Sequence, residues 1–232
     1  MARKQKKMLA CVVCIVLMLG TSVGAAIYEG TLTVGGGGII ATGEWNDPVT
    51  SMTYRVEEMA GYYDYKYTFT VPDKDISHLI LELSDDFMCD DMWDIAWTEQ
   101  GELECPDIRL YEPDDPGKSN PGLPDGIYGG KFDFSGDFTV LVIEFSSLRM
   151  PVWGDFYAKD GKTDQGQIDV YAYNAGFGVD PPKDPMDPEY VPPSSTPYNN
   201  KILVPDTDIP EPATLITVLL GAGMVAGRRK KV

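Results

Sequence analysis

The sequence predicts an all-β protein with a single antiparallel domain of the β-sandwich or jelly-roll type. Helical periodicity is scarce between residues 27 and 180. Apolar and polar residues instead alternate with a period of two along many short segments, which is typical of half-buried strands. Turn signals separate these segments at short intervals, and evenly spaced short strands of this kind are typical of antiparallel sandwiches.

The clearest predicted strand begins at Tyr63, where an aromatic face alternates with polar residues until the run stops at Pro72. The segment 138–145 is apolar on both faces, so we predict a central strand there. Further strands are predicted at 28–34, 49–57, 78–83, 107–111, 127–134, 152–157 and 167–174. Turns are predicted at the four glycines 35–38 and at 72–73, 124–126, 135–137 and 160–161.

Charge limits the partners of this domain. The chain has 19 Lys and Arg against 36 Asp and Glu, but its two ends hold eight of the cations and one of the acids. Residues 27–209 therefore carry a net charge of −24. Such a surface repels polyanions, which excludes nucleic acid as a partner and favours divalent cations or neutral glycans.

The N-terminus has the pattern of a secretory signal. Arg3, Lys4, Lys6 and Lys7 precede an apolar stretch, 8–20, and small residues follow at 23–26. This pattern predicts a signal peptide over 1–26, handled by the Sec translocon and signal peptidase. Cys89 and Cys105 remain after its removal, and in an oxidising compartment they predict a disulfide. A metal or redox pair is the alternative, although no Cys-x-x-Cys spacing is present.

The C-terminal part is divided into four segments. The Pro-rich range 181–209 predicts an extended stalk, within which 201–204 is either a last strand or an apolar stretch of linker. Pro210, Glu211 and Pro212 come next, followed by the uncharged run 213–227. That run is shorter than the about 20 residues a membrane helix needs, so it predicts a marginal transmembrane segment. The final cations Arg228, Arg229, Lys230 and Lys231 predict a cytoplasmic end.

The order of Pro-Glu-Pro, apolar run and basic end over 210–232 resembles the PEP-CTERM sorting domain. The resemblance implies a substrate of an exosortase in a Gram-negative-type bacterium whose envelope makes exopolysaccharide and biofilm. It implies transient anchoring in the inner membrane and then the cell surface or extracellular matrix. The segments 45–83, 151–161 and 173–177 are similar to uncharacterised exported proteins with the same tail, which adds no catalytic assignment.

Candidate site residues are few. His78 is the only histidine, and on a strand it shares a face with Glu82; a catalytic dyad is one interpretation, and a hydrogen-bonded strand histidine is the favoured one. We predict no cofactor; the alternative is calcium bound by the acidic group Asp85, Asp86, Asp90, Asp91 and Asp94, for which a solvated loop is the favoured interpretation. Candidate glycan contacts are Trp93, Trp97 and Trp153, for which a place in the core is the favoured interpretation.

These observations together predict a non-enzymatic exported protein with a structural or interaction role in the envelope or biofilm. A carbohydrate-binding module for exopolysaccharide is the first alternative. A polysaccharide hydrolase is the second, although with so many acids a suitably spaced carboxylate pair would occur by accident.

Overall fold

A computed structural model describes residues 25–98, 105–113, 120–163, 166 and 168–207. The sorting motif, the apolar run 213–227, the basic end and almost all of the predicted signal peptide lie outside these residues. Within the described ranges, no helix has both the length and the apolar character that a membrane span requires.

The described residues form thirteen strands and two short 3-10 helices, and every strand pairing is antiparallel. The 3-10 helices are Gly43–Trp45 and Cys89–Asp91. The strands are β1 Ile27–Thr33, β2 Ile39–Ala41, β3 Ser51–Glu58, β4 Tyr63–Thr70, β5 His78–Glu82, β6 Met92–Trp97, β7 Asp107–Tyr111, β8 Ile127–Asp133, β9 Val140–Ser147, β10 Met150–Gly154, β11 Phe156–Lys162, β12 Asp169–Asn174 and β13 Ile202–Thr207.

The strands are arranged in two facing sheets. Sheet A has the order β1-β3-β4-β9-β6, and sheet B has the order β2-β12-β11-β5-β8-β7. Strands β10 and β13 form a separate pair. The prediction of an all-β, antiparallel, sandwich-like fold is therefore confirmed.

The core lies between the two sheets, as the alternation in β4 predicts. Tyr65, Tyr67 and Phe69 on β4 are each 1% exposed, and Phe69 meets Phe156 of sheet B at a ring-centroid distance of 6.0 Å. Strand β9 lies between β4 and β6, as predicted for a central strand. One of its faces enters the core, at Leu141, Ile143 and Phe145, while Val140 on the other face is exposed, because sheet A presents that face to solvent.

Several predicted boundaries also need correction. The range 152–157 is divided between β10 and β11, and β11 continues through Gly161, where a turn had been expected. Strands β2 and β6 were not predicted, and β6 begins inside the acidic segment interpreted as a loop. Of the segment 201–204, residues 202–204 belong to strand β13, which pairs with β10, and Lys201 directly precedes it.

The stalk interpretation of 181–209 is corrected for the described part of that range, which packs against the domain. Tyr54 donates a hydrogen bond from its hydroxyl to the Ser194 carbonyl at 3.0 Å, and Tyr67 donates to the Leu203 carbonyl at 2.9 Å. Gly154 permits close approach of β13, since a Cβ added there would lie 2.5 Å from Val204. The prolines prevent a helix in this segment, but the segment still packs against the core.

A second, smaller apolar cluster covers the outer face of sheet B. It contains Ile80, Tyr111, Leu123, Ile127 and Tyr157. Neighbours of Ile80 on β5, Leu79 and Leu81, point into the main core instead. Strand β5 is therefore apolar on both faces, and this double burial also encloses His78.

Candidate functional site

Among the described residues, polar side chains collect in a groove on the solvent face of sheet A and in a buried group at the end of sheet B. The groove has a volume of about 610 Å³. It is lined by outward-pointing residues of β3, β4, β6 and β9 and by the turn residue Tyr62: Arg55, Glu57, Tyr62, Asp64, Lys66, Asp94, Glu144 and Ser146.

Cross-strand pairing positions these groove residues. The register places Lys66 between Arg55 and Glu144, and its Nζ lies 2.5 Å from Glu144 Oε1. Ser146 donates a hydrogen bond to Asp64 Oδ1 at 2.6 Å. The exposed Lys66–Glu144 ion pair contributes little to stability, and its charges remain accessible to a polar ligand.

Tyr62, which lines the groove, packs against Trp93, which lies beside it. The two rings are half-buried, with centroids 5.7 Å apart and planes at 59°. Trp93 lies on the groove side of sheet A because it pairs with the groove residue Ser146, and Asp94, at the register shift that follows, has φ of 51°. The two rings therefore form an angled corner instead of a flat platform.

The other two predicted glycan contacts lie elsewhere. Trp153 is 1% exposed, and its Nε1 donates a hydrogen bond to the Pro192 carbonyl at 3.3 Å, so its interpretation as a surface contact is corrected. Trp97 packs edge-on against Phe132 and Phe134 beside the main core. Of the three tryptophans, Trp93 is the one that lies beside the groove.

The five aspartates proposed for calcium do not meet at one point. Asp86 and Asp91 both bind the guanidinium of Arg149, at 3.1 and 3.0 Å. Asp94 lines the groove, while Asp85 and Asp90 are exposed. Arg149 is 7% exposed, so two of the carboxylates serve to neutralise a nearly buried cation.

The disulfide Cys89–Cys105 is present, as predicted, with a Cα–Cα distance of 5.7 Å. Cys89 begins the 3-10 helix that leads into β6, the edge strand of sheet A, and Cys105 precedes β7, the edge strand of sheet B. The bond therefore ties the two sheets together at their edges.

The buried group, which we call the lysine–carboxylate cluster, consists of Glu82, Asp155, Asp180, Lys183, Lys201 and Asp206. Lys201 Nζ lies 2.7 Å from Asp155 Oδ1 and 2.5 Å from Asp180 Oδ1. Lys183 Nζ lies 3.1 Å from Glu82 Oε1 and also contacts Asp206. Sequence reasoning identified only Glu82 of this set, because the cluster joins residues far apart in the chain.

Within the described residues, one group of carboxylates is close enough for a metal ion: Glu82, Asp155 and Asp180, with oxygen atoms within 4.8 Å of one another. The ammonium groups of Lys201 and Lys183 already bind these carboxylates. A bound cation would have to displace them, so the donor set fits two lysines better than it fits calcium.

Burial governs protonation in the cluster. Burial, followed by a hydrogen bond with Asp180, raises the pKa of Glu82 to about 8, although Lys183 opposes the shift. Burial also raises the pKa of Asp155, although Lys201 opposes the shift. Burial lowers the pKa of Lys201, but its hydrogen bond and charge interaction with Asp155 more than compensate and raise it overall.

His78 and Glu82 do share the outer face of β5, but their side chains have different partners. The His78 ring lies 6.1 Å from that of Tyr157, and its Nε2 is buried without a hydrogen-bond partner. Glu82 accepts a hydrogen bond from the Asp155 amide at 2.7 Å. The geometry thus places Glu82 in the lysine–carboxylate cluster and His78 in an aromatic environment.

In comparisons with known proteins, no family model, no curated protein and no solved structure matches this chain.

Proposed function

We propose that this chain is an exported, non-enzymatic protein of the cell surface or extracellular matrix, sorted by an exosortase through the Pro-Glu-Pro tail. The disulfide Cys89–Cys105 supports export most directly, since such bonds persist in oxidising compartments. Cleavage after Ala25 or Ala26 would leave every described strand intact, because β1 begins at Ile27. At the other end, β13 ends at Thr207, just before the motif. The finer description of the sandwich as a jelly roll stays a prediction.

Intact mass of the protein isolated from its native host tests this proposal. With exosortase present, we expect a product that lacks the final cations Arg228 to Lys231. Deleting the exosortase, or substituting Glu211→Ala in the motif, should leave the tail attached. Recovery of the full tail in the wild-type host, unaffected by loss of the enzyme, would contradict the proposal.

A second candidate function is binding of exopolysaccharide in the groove of sheet A, and the corner formed by Tyr62 and Trp93 favours it. Aromatic rings can pack against the apolar faces of sugars, and the charged and hydroxyl groups along the groove can bind sugar hydroxyls. Such a role is compatible with display at the cell surface and requires no catalytic group.

Affinity electrophoresis in gels containing the host's exopolysaccharide measures this binding. Trp93→Ala should abolish any retardation of the wild-type protein. Leu148→Ala is the matched control, because Leu148 is a 55% exposed apolar residue that does not line the groove. Equal retardation of both variants and the wild type would exclude the groove as the binding site.

A further inference from the structure

Lys201 and Asp155 form a buried pair with an unusual chemical environment. Their side chains are 1% and 4% exposed, and Lys201 Nζ lies 2.7 Å from Asp155 Oδ1. The two residues lie one step beyond Gly154 and Ile202, the last pair of the β10–β13 ladder, so they face each other across neighbouring strands. A rigid ladder therefore holds an amine against a carboxyl group in a site from which water is excluded.

The carboxyl group of Asp155 is polarised from both sides. Asn174 donates a hydrogen bond from Nδ2 to Oδ1 at 2.6 Å, and the Gly178 amide donates to Oδ2 at 2.8 Å. Donors fixed in this way stabilise the negative charge that develops on an oxygen when a nucleophile attacks the carboxyl carbon. Asn174 is itself held in place, because its Oδ1 accepts a hydrogen bond from the Phe156 amide at 2.9 Å.

A base lies next to the amine. Asp180 Oδ1 is 2.5 Å from Lys201 Nζ, and a carboxylate at this distance can accept a proton from the nitrogen. Glu82 lies beside Asp180, with oxygen atoms of the two residues within 4.8 Å, and its Oε2 accepts a hydrogen bond from the Asp155 amide. Glu82 is therefore a positioning residue, while Asp180 touches the reacting nitrogen.

We infer that Lys201 and Asp155 join in an intramolecular amide (isopeptide) bond, formed by the folded protein itself with Asp180 as the proton-transfer group. This modification does not depend on the proposed sorting or on glycan binding. It requires no external reactant, since an ammonium and a carboxylate together contain the atoms of one amide and one water molecule.

The reaction begins with proton transfer from the Lys201 ammonium to the Asp155 carboxylate, which leaves a neutral amine and a neutral acid. Burial favours this neutral pair relative to its stability in water. The nitrogen lone pair then attacks Cγ of Asp155, and the carbonyl electrons move to Oδ2 against the Gly178 amide. Asp180 removes a proton from the nitrogen and delivers it to the Oδ1 hydroxyl, which leaves as water while the carbonyl re-forms.

Peptide mapping of the purified full chain decides whether the bond exists. Trypsin cuts after Arg149 and Lys159 and so isolates Asp155 in peptide 150–159. An amide on Lys201 blocks cleavage there. We therefore expect 150–159 to be attached to a peptide that starts at 184 and continues past Lys201, with a combined mass lower by one water. Free peptides 150–159 and 184–201 in full yield would show only an ion pair and overturn the inference.

Three variants test the assignment of roles. Lys201→Arg keeps the cation but cannot form the bond, whereas Lys162→Arg, at an exposed lysine, should leave the linked peptide unchanged. Asp180→Asn should slow bond formation about 100-fold or more, as measured by the linked fraction over time after refolding. Full-rate formation in this variant, or a link between Lys183 and Asp206 instead, would overturn the mechanism.

Discussion

His78 makes the stability of the protein sensitive to acid, and this sensitivity can be isolated by one substitution. The side chain is 7% exposed, and burial, then Lys131 and Lys159, lower its pKa from 6.5 to about 3. The unfolded chain, with an ordinary pKa, binds a proton on this residue that the folded protein cannot bind. Stability is therefore complete above the unfolded pKa and is lost as the pH falls from about 6.5 towards 3.

The size of this pH effect on stability follows from the pKa of His78 in the unfolded state and in the folded state. Between pH 7 and pH 5 the linkage costs about 2 kcal/mol of unfolding free energy. His78→Gln removes this cost, so the variant should lose about 2 kcal/mol less than the wild type over that interval. Carboxylates that titrate in both proteins cancel in the comparison, and no second imidazole interferes because His78 is the only histidine.

Urea denaturation at the two pH values, followed by tryptophan fluorescence, measures the difference. The change in pH dependence is the relevant quantity, because glutamine in a buried position can shift the stability at both pH values equally. Parallel pH profiles for the wild type and His78→Gln would refute the reasoning, since they would mean that the imidazole is equally protonated in both states.

Three further outcomes are expected. The pH dependence of stability due to Glu82 is opposite in sign to that due to His78, because its raised pKa lets the folded state hold a proton that the unfolded state releases. Stability should therefore fall as the pH rises from about 4.5 to about 8. Glu82→Gln should flatten that fall in the same urea assay. Tyr67→Phe leaves the Leu203 carbonyl without its buried donor and should cost about 1–3 kcal/mol; a loss close to zero would mean that β13 is not docked there. Removing the disulfide with Cys105→Ser should cost about 3 kcal/mol of stability. Two titratable thiols in denatured, exported wild-type protein that has lost residues 1–26, and with them Cys11 and Cys14, would show that Cys89 is unpaired.

Sequence reasoning predicted the buried face of a strand correctly where apolar and polar residues alternate within the strand itself. The aromatic alternation that begins at Tyr63 specifies which face of β4 enters the core, whatever its neighbours are. Strand β13 could not be decided in the same way, because its apolar residues Ile202, Leu203 and Val204 are buried only once the strand pairs with β10 and packs against the core. Trp153 and Trp93 illustrate the same limit: each lies in a strand, and the sheet packing decides which of them is enclosed.

The lysine–carboxylate cluster carried no signal in the sequence. Lys201 and Asp155 are 46 residues apart, and no spacing rule connects them. Their meeting depends on the register of the β10–β13 ladder and on the return of the Pro-rich segment to the domain. Only the unusual position of a lysine directly before an apolar strand could have drawn attention to Lys201.

The antiparallel ladder between β10 and β13 determines how the domain resists a pull on its C-terminal end. Tension applied beyond Thr207 would open the pair Met150–Thr207 first and then unzip the remaining pairs one at a time towards Gly154–Ile202. The last contact reached in this direction is the one between Lys201 and Asp155. That contact is therefore the last one that resists separation of β13 from β10, and a covalent bond there would keep the C-terminal end joined to the sandwich after the whole ladder has opened.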